Sequence, residues 1–280
     1  MAYKTILAVL DRQTNAALIS DFAISLAETF AGHVTGLHLE NLSAVPMVAP
    51  MEIPDPVAIE ALQEAARSET AAIEDIFTHK ASQSVCTYEW RNIVSSIGFS
   101  SASVVDSARS ADLIIAAQGD GSLLSESRAD IEGFLFDSGR PVLLVPQIMT
   151  EPKPIRRVLL AWNGSREAAR ATFDALPFLK AAEFVEVFSV NPPETPTQSP
   201  ETAGAEIAAT LARHGINAVL STHSATDLDA SAVIENRLAD ASIDLLVMGA
   251  YGHSRWREML FGGVTRTLLE SMTALTLLSR

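Results

Sequence analysis

Short apolar runs alternate with helical patterns along the whole chain. Continuous apolar runs, such as residues 6–10 and 245–248, are typical of strands that are covered on both faces. Strands that alternate with Ala- and Leu-rich helical segments predict a parallel, doubly wound α/β sheet. The predicted strands lie near residues 4–10, 33–39, 84–90, 112–117, 141–145, 156–161, 184–190, 217–221, 243–248 and 274–279.

The pattern occurs twice. Residues 3–40 and 156–190 both open with an apolar strand led by basic residues, then continue through a polar turn and a helix to a second strand. Later segments correspond as well, at 111–120 with 242–252 and at 140–146 with 274–280. Three prolines separate the copies, and proline continues neither a helix nor a central strand. We therefore predict two tandem domains, 1–147 and 154–280.

Charge and composition argue against some classes of function. The net charge is −14, with −11 on residues 1–150 and −3 on residues 151–280. This disfavours general nucleic-acid binding, which needs basic surfaces, and makes the second half the better place for an anionic ligand. No apolar run reaches the ~18 residues of a membrane span, and the start lacks a signal-peptide pattern, so we expect a cytoplasmic protein. The single cysteine, Cys86, excludes an internal disulfide and lies in an apolar context that predicts a buried thiol.

A glycine-rich segment, MGAYGHSRWREMLFGGVT, spans residues 248–265. Gly249 and Gly252 follow a predicted strand, and Gly262 and Gly263 open the last helix after nine intervening residues. Glycines let a backbone approach phosphate closely, and a helix N-terminus attracts anions. The spacing alone is equally typical of an ordinary glycine-containing loop.

The whole segment closely resembles the signature of universal stress proteins, G-x₂-G-x₉-G-(S/T), at the place where that family has it. The openings ILAVLD and VLLAWNGS are similar to the family's first strand and turn. The resemblance covers essentially the whole chain. It implies two universal-stress-protein domains, each a doubly wound five-stranded parallel sheet of order 3-2-1-4-5, paired through their last strands. It also implies a homodimer of such chains.

The resemblance further implies an adenine-nucleotide site, for ATP or AMP with Mg²⁺ as a potential companion, in the C-terminal copy. Base and ribose would meet Ala161 and Asn163, and Val190 would flank the adenine. The remaining site residues would line or close on ribose and phosphates: Met248, Gly249, Gly252, His253, Arg255, Gly262, Gly263, Val264 and Thr265. Two departures weaken affinity, because Asn163 replaces an acid and Gly263 replaces a Ser or Thr.

The N-terminal copy has the reverse pattern. Asp11 keeps the acidic ribose position, but Ala117 replaces the first glycine of the loop. Carboxylates stand where phosphates would lie, at Asp120, Glu126, Asp130 and Glu132. Like charges repel, so we predict that this copy binds no nucleotide.

Three functions remain open from the sequence. The chain is a nucleotide-binding regulatory or stress protein, a slow ATPase or nucleotide-dependent enzyme, or an interaction module without nucleotide. No nucleophile–base pair or metal-ligand spacing is evident, so we predict no catalytic or metal residue. Ser165 and Asp229 are predicted to cap helices.

Overall fold

The computed structural model describes residues 2–41, 56–95, 100–119, 131–192, 199, 204–224, 229–250 and 263–280. The chain divides into two compact units. The N-terminal unit comprises Tyr3–Ala116 and Glu126–Ser138, and the C-terminal unit comprises Met1–Ala2, Ala117–Ser125 and Gly139–Arg280.

The N-terminal unit is a parallel sheet with helices packed against it. Its strands are β1 (Thr5–Val9), β2 (His33–Asn41), β3 (Thr87–Ser95) and β4 (Leu113–Ala117). They lie in the sheet in the spatial order β3-β2-β1-β4. Its described helices are α1 (Gln13–Phe30), α2 (Pro56–Ser82), α3 (Ser100–Arg109) and α4 (Ile131–Gly133), the last continuing into a π-helical turn at Phe134–Ser138. The apolar side chains of β1 and the inner face of α1 form the core of this unit.

The described residues of the C-terminal unit form six strands in the order β5-β10-β9-β6-β7-β8. They are β5 (Val142–Val145), β6 (Arg157–Ala161), β7 (Phe184–Val190), β8 (Ala218–His223), β9 (Leu245–Gly249) and β10 (Leu275–Ser279). The described helices are α5 (Arg166–Asp174), α6 (Leu176–Ala181), α7 (Ala205–Arg213), α8 (Ala230–Asp240) and α9 (Gly263–Glu270). Neighbouring strands from β10 to β8 in this order pair parallel, while β5 pairs with β10 antiparallel, with Leu143 opposite Leu277.

The predicted α/β class and all ten strands are confirmed. The order 3-2-1-4-5 is found in the second copy, and the first four strands of the first copy have the same order. The fifth strand of the first copy, β5, lies in the C-terminal unit, where the two last strands pair as expected. The domain boundaries 1–147 and 154–280 stay a prediction.

The third strand was predicted too early, at 84–90. The backbone N–H and the hydroxyl of Ser84 both donate to the carbonyl of Ala81, so the chain is still turning out of α2 at that point. The strand itself runs from Thr87 to Ser95. The prediction for Cys86 was also wrong, because its side chain lies in this turn and is partly exposed.

Candidate functional site

The carboxyl ends of β6, β7 and β9 bring three of the predicted residues to one edge of the C-terminal sheet. Ala161 is the register partner of Met248 on β9 and of Phe188 on β7. Val190 lies at the end of β7, two residues beyond Phe188. Ligands of open α/β sheets bind at this edge. The topology therefore places Ala161, Val190 and Met248 where a ligand is expected.

A tight turn connects β6 to α5 and holds Asn163. The Oδ1 atom of Asn163 accepts a hydrogen bond from the N–H of Ser165 at 3.1 Å, and Gly164 between them has a positive φ of 74°. The hydroxyl of Ser165 accepts from the N–H of Ala168 at 3.1 Å and caps α5, as predicted. Asn163 is thus an exposed side chain whose carbonyl oxygen stabilises its own turn.

Gly249, at the end of β9, lies against the first turn of α5. A Cβ on this residue would stand 2.5 Å from the backbone N of Ala168 and 2.5 Å from the backbone carbon of Glu167. Both contacts are to main chain, which cannot rotate away. This close packing is in itself a sufficient reason for glycine, and the predicted contact of Gly249 with a nucleotide stays a prediction.

Glu167 places a buried carboxylate in the same turn of α5. The residue is 4% exposed, and Arg166, whose side chain is 82% exposed, donates to it from the guanidinium. Burial is the largest single influence and favours the neutral acid. The hydrogen bonds from Arg166, from the backbone and from Ser165, together with the charge of Arg166, outweigh it and hold the pKa of Glu167 below its usual range.

The last helix begins where the sequence predicted. α9 starts at Gly263, so that Gly263, Val264 and Thr265 form its first turn. The other predicted loop residues lie outside the described part of the chain: Gly252, His253, Arg255 and Gly262. The structure therefore brings the strand-end residues to one edge and gives the start of α9, while the loop that joins them is not described.

At the equivalent edge of the N-terminal unit, two polar side chains form hydrogen bonds within the unit. Asp11 is 9% exposed and accepts from the amide of Asn15 at 2.9 Å, and the ring of His38 donates to the carbonyl of Leu10 at 2.5 Å. Asp120, Glu126 and Asp130 lie outside the described residues, and Glu132 belongs to α4. The prediction that this copy binds no nucleotide stays a prediction.

Sequence reasoning missed two residues near the candidate site. Glu167 was not singled out, because an acidic residue in the first turn of a helix is usually solvated. Gln118 looked like part of a degenerate loop, yet its amide bonds to the last carbonyls of α9. The only sequence signal for Gln118 was the position of a polar side chain directly after the buried strand β4.

Among the described residues, no group of His, Cys, Asp or Glu has the arrangement of a metal site. Within the same part of the chain, no helix combines the length and the apolar character that crossing a bilayer requires.

The model of the universal stress protein family matches residues 154–279. No curated protein matches the chain significantly in sequence. A universal stress protein from Archaeoglobus fulgidus is similar in structure, with a TM-score of 0.72 at 15% identity, over 99% of this chain and 96% of that one. A putative universal stress protein from Pseudomonas aeruginosa gives a TM-score of 0.54 at 15% identity, over 99% and 93% of the two chains. At such identities the structural similarity concerns the fold.

Proposed function

Because the chain belongs to the universal stress protein family through residues 154–279, we propose that its C-terminal copy binds one adenine nucleotide, ATP or AMP, in a regulatory role. One observation carries the proposal. Ala161 and Met248 are register partners at the carboxyl edge of the sheet, directly before the turn that holds Asn163 and the segment that leads to α9.

In this proposal the base lies over the ends of β6 and β7. Ala161 and Val190 are partly exposed there and offer small apolar contacts to an adenine ring. Asn163 meets the ribose. Since its carbonyl oxygen accepts from Ser165 within the turn, its NH₂ group is the part that would donate to a ribose oxygen. An acid at this position would instead accept from the ribose hydroxyls.

The phosphates, in this proposal, lie at the start of α9. The first N–H groups of a helix lack partners within the helix and carry partial positive charge, which suits an anion. Gly263, Val264 and Thr265 supply these groups, and the glycines before them permit a close approach. Gly252, His253, Arg255 and Gly262 are proposed contacts on the resemblance alone, as is any Mg²⁺ held by the phosphates.

Binding, rather than turnover, is the function that these residues favour. Among the described residues, Glu167 places a carboxylate in the first turn of α5, directly after the turn that holds Asn163, and this carboxylate is buried and bonded to Arg166 and Ser165. A general base must reach the proton that it removes. The carboxylate of Glu167 instead lies at the start of its own helix, where it accepts hydrogen bonds from Arg166 and Ser165. Hydrolysis of ATP, if measured, is expected to be slow.

The test is a titration of the full-length chain with ATP and AMP by calorimetry, beside mass spectrometry of nucleotide extracted from the purified protein. We expect about one site per chain with a dissociation constant of tens of micromolar, since Asn163 and Gly263 each remove a contact worth about 0.5–1.5 kcal/mol. Gly262→Asp should abolish binding. Gly119→Asp is the matched control, because a side chain at Gly119 meets nothing within 4 Å and lies in the first copy. Equal affinity of both variants would place the site elsewhere.

We also propose, on the same family membership, a cytoplasmic location, a role in the stress response and association of two chains into a homodimer. The exposed strand β8 is one edge available for association, with Val219 53% and Leu220 38% exposed. Light scattering of the purified chain tests the dimer, and a monomer mass would contradict it.

A further inference from the structure

Gln118 follows β4 in the segment that replaces a phosphate loop in the first copy. Its backbone is fixed, because its N–H donates to the carbonyl of Val145 at the end of β5, at 2.8 Å. Its side-chain oxygen accepts from the backbone N–H of Gln147 at 3.0 Å. The oxygen thus faces a donor, so the NH₂ group must point the other way.

That NH₂ group reaches the end of α9. Nε2 of Gln118 donates to the carbonyl of Leu269 at 2.8 Å and to that of Glu270 at 3.2 Å. The last carbonyls of a helix have no partner within it, and donors there are favourable because the C-terminus carries partial negative charge. Gln118 therefore acts as a cap supplied by a residue 151 positions away in the sequence.

The second copy has no such side chain at the equivalent place. Ala250 follows β9 as Gln118 follows β4, and its N–H likewise donates to the end of the last strand, at the carbonyl of Ser279, 2.9 Å away. The backbone arrangement is thus repeated in both copies. The capping amide belongs to the first copy alone, so it is an addition to the shared plan.

We infer that Gln118 is a positioning residue for the nucleotide site of the C-terminal copy, acting through α9. This rests on the proposed function, which places phosphates at the first turn of the same helix. α9 has eight residues and is therefore about 12 Å long. A constraint on its last carbonyls fixes the direction in which its first N–H groups point. The segment after β4 in the first copy thereby supports the helix at which the phosphates of the other copy are proposed to lie.

A second contact supports the same end of α9, and it limits how far the loss of the Gln118 cap can loosen the helix. The hydroxyl of Ser271 donates to the carbonyl of Thr267 at 2.9 Å and also bonds to the carboxylate of Glu235 on α8. Loss of the Gln118 cap should therefore loosen α9 without unfolding it. Affinity should fall, while the fold is kept.

The experiment uses a charge series at position 118 in the full-length chain. Gln118→Glu keeps the shape and the acceptor for Gln147 but turns a donor into a negative group beside the helix carbonyls. Gln118→Ala removes the cap, and Gln118→Lys restores a cationic donor. Gln147→Glu is the control, since it makes the same charge change at a neighbouring side chain that bonds to Gly119 and not to α9.

The measured quantities are the ATP dissociation constant and amide hydrogen exchange in α9 without nucleotide. We expect Gln118→Glu to weaken binding about tenfold and Gln118→Ala about threefold, with faster exchange in α9, and Gln118→Lys to resemble the wild type. Unchanged affinity in Gln118→Glu overturns the inference, even if exchange in α9 rises, because the cap would then be local. A wild-type chain that binds no ATP overturns the proposed function instead, and the positioning role with it.

Discussion

Gly249 and Glu167 lie so close that a Cβ on Gly249 would stand 2.7 Å from the Cβ of Glu167. The end of β9 and the first turn of α5 therefore pack backbone to backbone at the candidate site. The turn after β6, the start of α5 and the end of β9 form one packed arrangement, so a change at Gly249 should act on the fold before it acts on any ligand.

Gly249→Ala should destabilise the chain by about 1–3 kcal/mol, because the added methyl group overlaps main-chain atoms and α5 must shift. Urea unfolding followed by circular dichroism measures the change. Gly119→Ala is the control, since a methyl group there meets nothing within 4 Å. A Gly249→Ala variant as stable as this control would show that α5 moves freely against β9.

Glu167 predicts a pH dependence of stability. The pKa of Glu167 in the folded state is held below the usual value of about 4.3 for a glutamate. The contribution of its carboxylate to the free energy of unfolding is therefore present at neutral pH, and it is lost as the pH falls from the usual value through the lower folded value. The difference in unfolding free energy between wild type and Glu167→Gln should therefore be constant from pH 7 to 5 and shrink below that. Glu183→Gln, which removes an exposed carboxyl, is measured beside it as the control for a surface site. A difference that grows on acidification would reverse the assigned direction of the pKa.

The buried ion pair of Glu186 and Arg237 predicts a large effect of one substitution on stability. Glu186 is fully buried on β7, and the guanidinium of Arg237 reaches both of its oxygens, with contacts of 2.8 and 3.1 Å. Arg237→Ala leaves a buried carboxylate without this partner and should cost about 3–5 kcal/mol. Arg156→Ala, which breaks the exposed pair with Glu183, should cost less than about 1 kcal/mol. Similar losses in thermal unfolding would show that burial does not matter at Glu186.

Asn163→Asp should tighten ATP binding about two- to tenfold, because a carboxylate accepts from the ribose hydroxyls more strongly than an amide does. The turn should survive, since Asp also accepts from the N–H of Ser165. Asn217→Asp makes the same charge change at an exposed residue just before β8, at the opposite end of the strand, and serves as control. Weaker binding in Asn163→Asp than in the control would mean that phosphate, not ribose, lies nearest this side chain.

The sequence by itself determined the repeat, the strands and the start of α9. Runs such as 245–248 are buried on both faces, and Ser165 and Asp229 cap the helices that follow them, because these features depend on neighbours within a few residues. The family resemblance pointed to the edge of the sheet where Ala161 and Met248 meet, and parallel β-strands bring their carboxyl ends together whatever their side chains are.

Only the tertiary structure decided what lies against that edge. The need for glycine at 249 comes from the backbone of α5, and the partner of Gln118 is a helix end 151 residues away. Each depends on distances between segments remote in sequence, and a local pattern carries no record of such distances. The pairing of β5 with β10 was implied by the family resemblance and not by the local pattern, since both strands are short apolar runs that would suit several neighbours equally well.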